Sequence, residues 1–257
     1  MIAINFVRYE VRGHIAIVTF SRPPVNALNV QSYEELRETF GRIAQDTSVR
    51  AAILRAEGKT FMAGNDVNEF VSLKGTRTAE HLKLVNSSVE AVYNCRVPVI
   101  AAVHGAVAGA GCGFVGCSDI VLASDRAKFS IPEVWVGLVG GAKNLLRLLP
   151  PKLVRYYALT GEAISAEDMK RYGGVIEVLP EDRLVERALK IAEQIARLSP
   201  LAVEYSKKYL KNLDYINGLE GHNEVMNNIL LNHEDSVEAV KAFLEKRAPM
   251  FKGHSAG

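Results

Sequence analysis

Residues 4–11 alternate apolar and polar side chains like a strand, 14–20 form a second β-rich run, and Arg12-Gly13 between them fits a tight hairpin. The period then lengthens. Tyr33, Leu36, Phe40 and Ile43 recur at three- and four-residue steps, and Ser32 with Glu35 has capping-box spacing, which together predict a helix over about 32–45. Residues 51–55 read as a short buried strand, and the glycine-containing stretch 56–66 breaks any regular pattern, which predicts a loop with unusual backbone demands. A helix over about 79–94 leads into a strand-like run, 97–104, that empties into Gly105, Gly109, Gly111, Gly113 and Gly116. Short strands are predicted over 120–124 and 128–131, and Gly137, Gly140 and Gly141 precede a helix near 143–149. From Glu181 the pattern is helical, with Leu184, Ala188, Ile191, Ile195 and Leu198 on one stripe and Ser199-Pro200 opening the next helix. This alternation predicts an α/β fold: one core over 1–198 and a helical appendage over 199–257 that is not an independent domain.

Composition changes this picture only by exclusion. With 48% hydrophobic and 23% charged residues the chain has ordinary globular usage, and 31 basic against 29 acidic residues, with no long run of one sign, argue against a nucleic-acid partner. Arg96 and His104 cut the longest apolar stretch well short of a membrane span, and Arg8 and Glu10 spoil any secretory-signal pattern at the start. A cytoplasmic protein is expected. Cys95, Cys112 and Cys117 are odd in number and lack metal-site spacing, so reduced and mostly buried thiols are expected, with no metal.

Residues 111–116 match GxGxxG, yet two strands, a helix and about a hundred residues precede them, whereas the dinucleotide fingerprint belongs at the first strand-to-helix turn. There is no phosphate-loop, nucleophile-elbow or zinc-protease motif. What gives the glycine run meaning is a second such segment, Phe61-Met62-Ala63-Gly64-Asn65-Asp66-Val67, about forty-five residues earlier. Taken with Arg22-Pro23, Asn26-Ala27-Leu28, Gly105 to Gly111, Pro132-Glu133 to Gly141 and Phe243 to Arg247, the order and spacing resemble the crotonase (enoyl-CoA hydratase/isomerase) superfamily over nearly the whole chain.

That resemblance implies a ββα spiral of two stacked sheets, a C-terminal helical region packed between subunits of a homotrimer or dimer of trimers, and an acyl-CoA thioester as substrate. It implies no cofactor beyond the substrate's coenzyme A. It assigns the backbone N–H groups of Asn65 and Ala110 to an oxyanion hole, where family members more often carry Ala and Gly. One preorganised donor of this kind is worth about 3–4 kcal/mol. Glu133 matches one of the two catalytic glutamates of the hydratases, while the other position holds Gly113. A single carboxylate suits a proton shift, as in enoyl-CoA isomerases, better than the addition of water. Apolar walls such as Val134, Trp135 and Val136 are expected to raise the Glu133 pKa. A hydroxycinnamoyl-CoA hydratase-lyase, with Trp135 near the substrate, and a decayed paralogue that only binds CoA esters are the alternatives. Arg22 and Lys246 resemble positions near the CoA phosphates, and Ala27, Leu28, Ala63, Asp66 and Val67 the wall of the adenine and pantetheine arm. Gly109 and Pro132 flank the site, Gly140 replaces a usual Pro and so is expected to loosen its loop, and Gly141 is expected to open a helix whose positive end faces the thioester oxygen.

Overall fold

The computed structural model describes residues 6–72, 76–213 and 233–252, and within them the strands form two sheets. In the larger, β1 (Val7–Arg12) and β2 (Ile15–Phe20) make the predicted antiparallel hairpin, turning at Gly13 with φ +59°. Parallel to β2 run β3 (Ala51–Ala56), β5 (Val99–Val103), β7 (Ile120–Ser124) and β10 (Glu177–Leu179) in that spatial order. The smaller sheet consists of the three-residue strands β4 (Thr60–Met62), β6 (Ala106–Ala108), β8 (Lys128–Ser130) and β9 (Ala163–Ser165). β3, β5 and β7 each pass the chain to β4, β6 and β8 before helical segments return it, so the α/β fold is a spiral of ββα units.

The period-two pattern sorts the larger sheet between two cores. Ala16, Val18, Phe20, Leu54, Val99, Ala101 and Val103 face the main core, while Ile15, Ile17, Ile53, Ile100 and Ala102 face the opposite side. Burying a Val, Leu, Ile or Phe side chain contributes roughly 1.5–3 kcal/mol, so a register slip that exchanged these faces would cost many such terms. α1 (Val30–Gln45) lies on the main core through Tyr33, Leu36, Phe40 and Ile43, and it packs against α3 (Thr76–Tyr93). α7 (Glu181–Ala196) covers the other face with Leu184, Ala188 and Ala192. Leu198, placed on that stripe from the sequence, is 53% exposed because α7 ends two residues before it.

Several boundaries differ from the predicted ones. The N-cap of α1 is Asn29, whose side chain accepts from Ser32 N–H, while Glu35 reaches across to the N–H groups of Phe6 and Val7. Ser32 and Glu35 therefore form no capping box. The helix expected near 143–149 is a 3₁₀ turn, Ala142–Arg147. α2 (Val67–Ser72), α5 (Pro151–Thr160), α6 (Ala166–Arg171), β9 and β10 are additional elements. In the C-terminal region α8 (Pro200–Leu213) is bound to the core, since Lys207 Nζ donates to Val97 O at 2.9 Å and pairs with Asp119 at 2.6 Å. α9 (Glu234–Glu245) follows, and residues 1–5, 214–232 and 253–257 of the predicted strand and helical region lie outside the described residues. No helix among the described residues is long and apolar enough to cross a membrane, and none of their His, Cys, Asp and Glu side chains cluster as a metal site. All three cysteines are free and buried.

Candidate active site

Two backbone segments that the sequence separates by more than forty residues meet at the point where the chain crosses from one sheet to the other. Leu28 bridges Asn65 in parallel, with Leu28 N–H donating to Gly64 O and Asp66 N–H to Leu28 O, each at 2.8 Å. This leaves Asn65 between two paired residues. Its own N–H and that of Ala110, the first residue of α4 (Ala110–Gly116), donate to nothing among the described residues. The two stretches touch directly: a Cβ on Gly64 would stand 3.0 Å from Ala108 O, and one on Gly111 2.7 Å from Met62 O. A side chain at Gly111 would push the segments apart, which is the physical reason for glycine there. The crossing thus brings the segments that carry both predicted donors into contact, and Ala110 lies in the first turn of a helix, where N–H groups are unsatisfied by construction.

Glu133 enters from a third segment, the 3₁₀ turn Pro132–Val136, whose first position suits proline. Its carboxylate fills the space between two glycines. A Cβ on Gly109 would lie 2.7 Å from Glu133 Oε1, and one on Gly140 2.6 Å from Oε2 and in collision with Ile131 Cγ2. Gly109, with φ +52° and its N–H bonded to Ser130 O at 3.0 Å, also sets the entry into α4. Gly140 is therefore a fitted wall of the carboxylate, where the sequence had suggested only a looser loop. Glu133 Oε2 is buried and has no hydrogen-bond partner among the described residues. Burial raises the Glu133 pKa above the ordinary carboxylate value, opposed only by its own N–H. The expected walls are not the cause. Val134, Trp135 and Val136 face solvent, and the Trp135 indole donates to Thr160 O at 2.8 Å and lies against Gly161, outside the carboxylate's surroundings.

The loop residues assigned to the CoA arm form a latch. Arg22 donates to Ala27 O at 2.9 Å and pairs with Asp66 at 2.7 Å, while Ala63 N–H donates to Asn26 O. Burial raises the Asp66 pKa, but the bonds from Arg22 and Asn68 outweigh it and the net shift is downward. Asn26, buried with φ +55°, ties this loop further by donating to Glu57 O and Thr60 O. Val67 is exposed at the start of α2. Lys246 caps α9 in the left-handed conformation, and among the described residues its ammonium forms no ion pair. Gly141 precedes the 3₁₀ turn, so the α-helix that starts at the site is α4. At Gly113, one turn into α4, a Cβ would meet Asn144 Nδ2 and Val89, each at 3.3 Å. An amide and an isopropyl group thus stand against the second-carboxylate position.

Tyr33 is a site residue that sequence reasoning missed. It reads as one apolar step of α1, yet its hydroxyl donates to Asn65 Oδ1 at 2.6 Å and its ring stacks on Phe114 of α4 at 6.2 Å. No periodic signal marks such a contact.

Residues 10–254 match the family model described as enoyl-CoA hydratase/isomerase. The chain belongs to the enoyl-CoA hydratase/isomerase family. Among curated relatives, a "(7aS)-7a-methyl-1,5-dioxo-2,3,5,6,7,7a-hexahydro-1H-indene-carboxyl-CoA hydrolase" of Mycobacterium tuberculosis is 38% identical over 78% of this chain and 81% of its own length. The 2,3-dehydroadipyl-CoA hydratase of Escherichia coli is 32% identical over 93% and 95%. The solved enoyl-CoA hydratase of Bacillus anthracis superposes with a TM-score of 0.91 at 28% identity, covering 97% of this chain and 100% of that one. A Streptomyces coelicolor structure described as a putative enoyl-CoA hydratase gives 0.90 at 30% identity, with 97% and 94% covered. The ββα spiral is thus the crotonase fold, and the chain is an enzyme of that family. Two unspent amides beside a buried carboxylate whose Oε2 has no partner among the described residues suit acid–base chemistry next to an oxygen that gains negative charge.

Proposed function

We propose that this enzyme acts on acyl-CoA thioesters by enolate chemistry, with Glu133 as the single base. Glu133 takes a proton from the carbon next to the thioester carbonyl, the electron pair moves onto the carbonyl oxygen, and the N–H groups of Asn65 and Ala110 receive that charge. Returning the proton two carbons further along shifts the double bond and releases an enoyl thioester of unchanged mass. The orphaned Glu133 Oε2 carries this reading, because a buried carboxylate oxygen with no partner among the described residues is costly unless a ligand uses it. Gly113 in place of a second carboxylate favours this isomerase-like outcome over hydration. The route draws on no group besides the coenzyme A of the substrate.

Two further readings have their own support. Hydrolysis of a CoA ester is favoured by the identity to the M. tuberculosis hydrolase, since one base and an oxyanion hole would equally activate water against a carbonyl. The hydroxycinnamoyl-CoA lyase reading loses its aromatic, because the Trp135 ring is committed to Thr160 and Gly161. The exposed apolar side chains of α9 favour a trimer or dimer of trimers, and the buried free thiols fit a reducing compartment such as the cytoplasm.

The test is to incubate the enzyme with 3-enoyl-, 2-enoyl- and hydroxycinnamoyl-CoA and to identify products by chromatography and mass. The expected result is conversion of the 3-enoyl to the 2-enoyl ester without mass change, lowered about 10²–10⁴-fold by Glu133→Ala while the CoA ester still binds. A principal product carrying one added water refutes the isomerase assignment. Undiminished turnover in Glu133→Ala removes Glu133 as the base, and binding of the esters without turnover of any of them leaves the decayed paralogue.

A further inference from the structure

The chain crosses toward the smaller sheet from the C-terminal ends of the parallel strands β5 and β7. A separate groove of about 690 Å³ opens at their N-terminal ends, beside Pro98 and Asp119. Ile120 and Ile195 line it from β7 and α7, while Ala202, Val203 and Leu210 succeed one another along α8 at helical spacing. The C-terminal part of α8 brings Lys207 and Lys211 to the same groove. Asp119 neutralises Lys207 at 2.6 Å. The Lys211 ammonium stands 4.5 Å from the centre of the Tyr93 ring, which Arg147 also approaches at 3.9 Å, and among the described residues it forms no ion pair. Burial, with Lys207 and Arg147 nearby, lowers the Lys211 pKa to about 8 against the opposing pull of Asp119 and Cys95.

We propose that this groove binds a free aliphatic carboxylic acid of medium chain length, its alkyl chain lying along α8 and its carboxylate at Lys211. The volume is within the range of small-molecule sites, and apolar walls with a cation at one end match a ligand whose charge sits at one tip. Ala202 to Lys211 spans about 13 Å at 1.5 Å per helical residue, the reach of a medium-length alkyl chain. A carboxylate beside Lys211 would offset the cost of holding a half-desolvated ammonium, which a neutral amphiphile could not do. A CoA thioester carries no charge where its chain begins, so the free acid is the fit and the ester is not. The site stands apart from the chemistry at Glu133 and does not depend on it.

Calorimetric titration of the full-length enzyme with sodium decanoate and with 1-decanol tests this. Decanoate is expected to bind at least about tenfold more tightly than decanol, the worth of a hydrogen bond to a charged group. Lys211→Met keeps an unbranched side chain without the charge, so it should weaken decanoate about tenfold and leave decanol unchanged, while Leu210→Glu should weaken both. At pH 8, titrations in buffers of different ionisation enthalpy should show proton uptake with decanoate, because the bound carboxylate raises the Lys211 pKa; Lys211→Met should show none. Glu133→Ala should bind decanoate like the native enzyme, which separates the groove from the active site. Circular dichroism confirms that each variant is folded. Equal native affinities for decanoate and decanol, or decanoate binding unchanged in Lys211→Met, overturn the proposal. It also falls if the native enzyme binds neither probe and Leu210→Glu lowers the mass seen by light scattering, because a second copy of the chain then covers the groove.

Discussion

At the scale of single residues, one carboxylate couples activity and stability with opposite signs. Burial raises the Glu133 pKa in the folded protein, so the folded state holds this proton at pH values where the unfolded chain has released it. The associated stability is fully present below the unfolded pKa and is lost as pH rises through the folded one. Activity runs the other way, since only the charged form is a base and kcat/KM should climb through the same raised pKa. Glu133→Gln removes the cost of burying the charge. Thermal melts should therefore find the variant close to the native enzyme at pH 4 and more stable than it at pH 8, where it is nearly inactive; a lower Tm than native at pH 8 would contradict the buried, unpartnered carboxylate. Glu133 was legible in the sequence because a motif carries it. Its surroundings were not, because Gly140 and Gly109 come within reach of the carboxyl only once three separate segments are folded together, and Val134 to Val136, the apolar neighbours in the chain, turn outward.

At the scale of elements, the question is what holds the Asn65 turn in place. The loop before α1 and the turn before α2 are fastened by Arg22, which spans Ala27 O and the Asp66 carboxylate, with side-chain exposures of only 23% and 13% for the pair. Family resemblance places Arg22 near the CoA phosphates, whereas the observed bonds make it a latch, and the two roles separate experimentally. Arg22→Ala should cost about 1.5–3 kcal/mol of stability, the range for a hydrogen bond to a charged group. It should also lower kcat alike for a CoA ester and for the matching pantetheine thioester, which lacks the nucleotide phosphates. A defect confined to the CoA ester's KM would assign Arg22 to phosphate binding instead. The Asp66 pKa is depressed, so the latch's contribution is present above the unfolded pKa and is lost as pH falls through the folded one. The stability gap between native and Arg22→Ala should close in acid, as denaturant melts at pH 7 and pH 3 would record. None of this pairing was legible, since Arg22 and Asp66 are 44 residues apart and a charge in a loop carries no period.

For the whole molecule, periodicity revealed what repeats and nothing shorter. Strands β1, β2, β3, β5 and β7 of the larger sheet and the helices α1, α3 and α7 were readable because each spans enough residues to display an apolar face; of the three-residue strands β8 was read, whereas β4, β6, β9 and β10 were too short to show a period of two. The sheet crossings that build the site are made of these short strands, so their glycines marked them while their pairing stayed hidden. A second property belongs only to the whole molecule. Val237, Val240 and Leu244 share one face of α9, all exposed, and Phe243 beside them is 83% exposed. Soluble monomers rarely leave so contiguous an apolar stripe in water, and a closed symmetric oligomer would cover it on every copy at once. Light scattering on the purified protein should therefore give a mass of three or six chains. Val240→Glu with Leu244→Glu should lower it toward one, because each copy would bring buried carboxylates to the shared surface without a partner. A native protein that is monomeric at micromolar concentration would refute assembly through α9, and an oligomer undisturbed by both carboxylates would move the interface to another face.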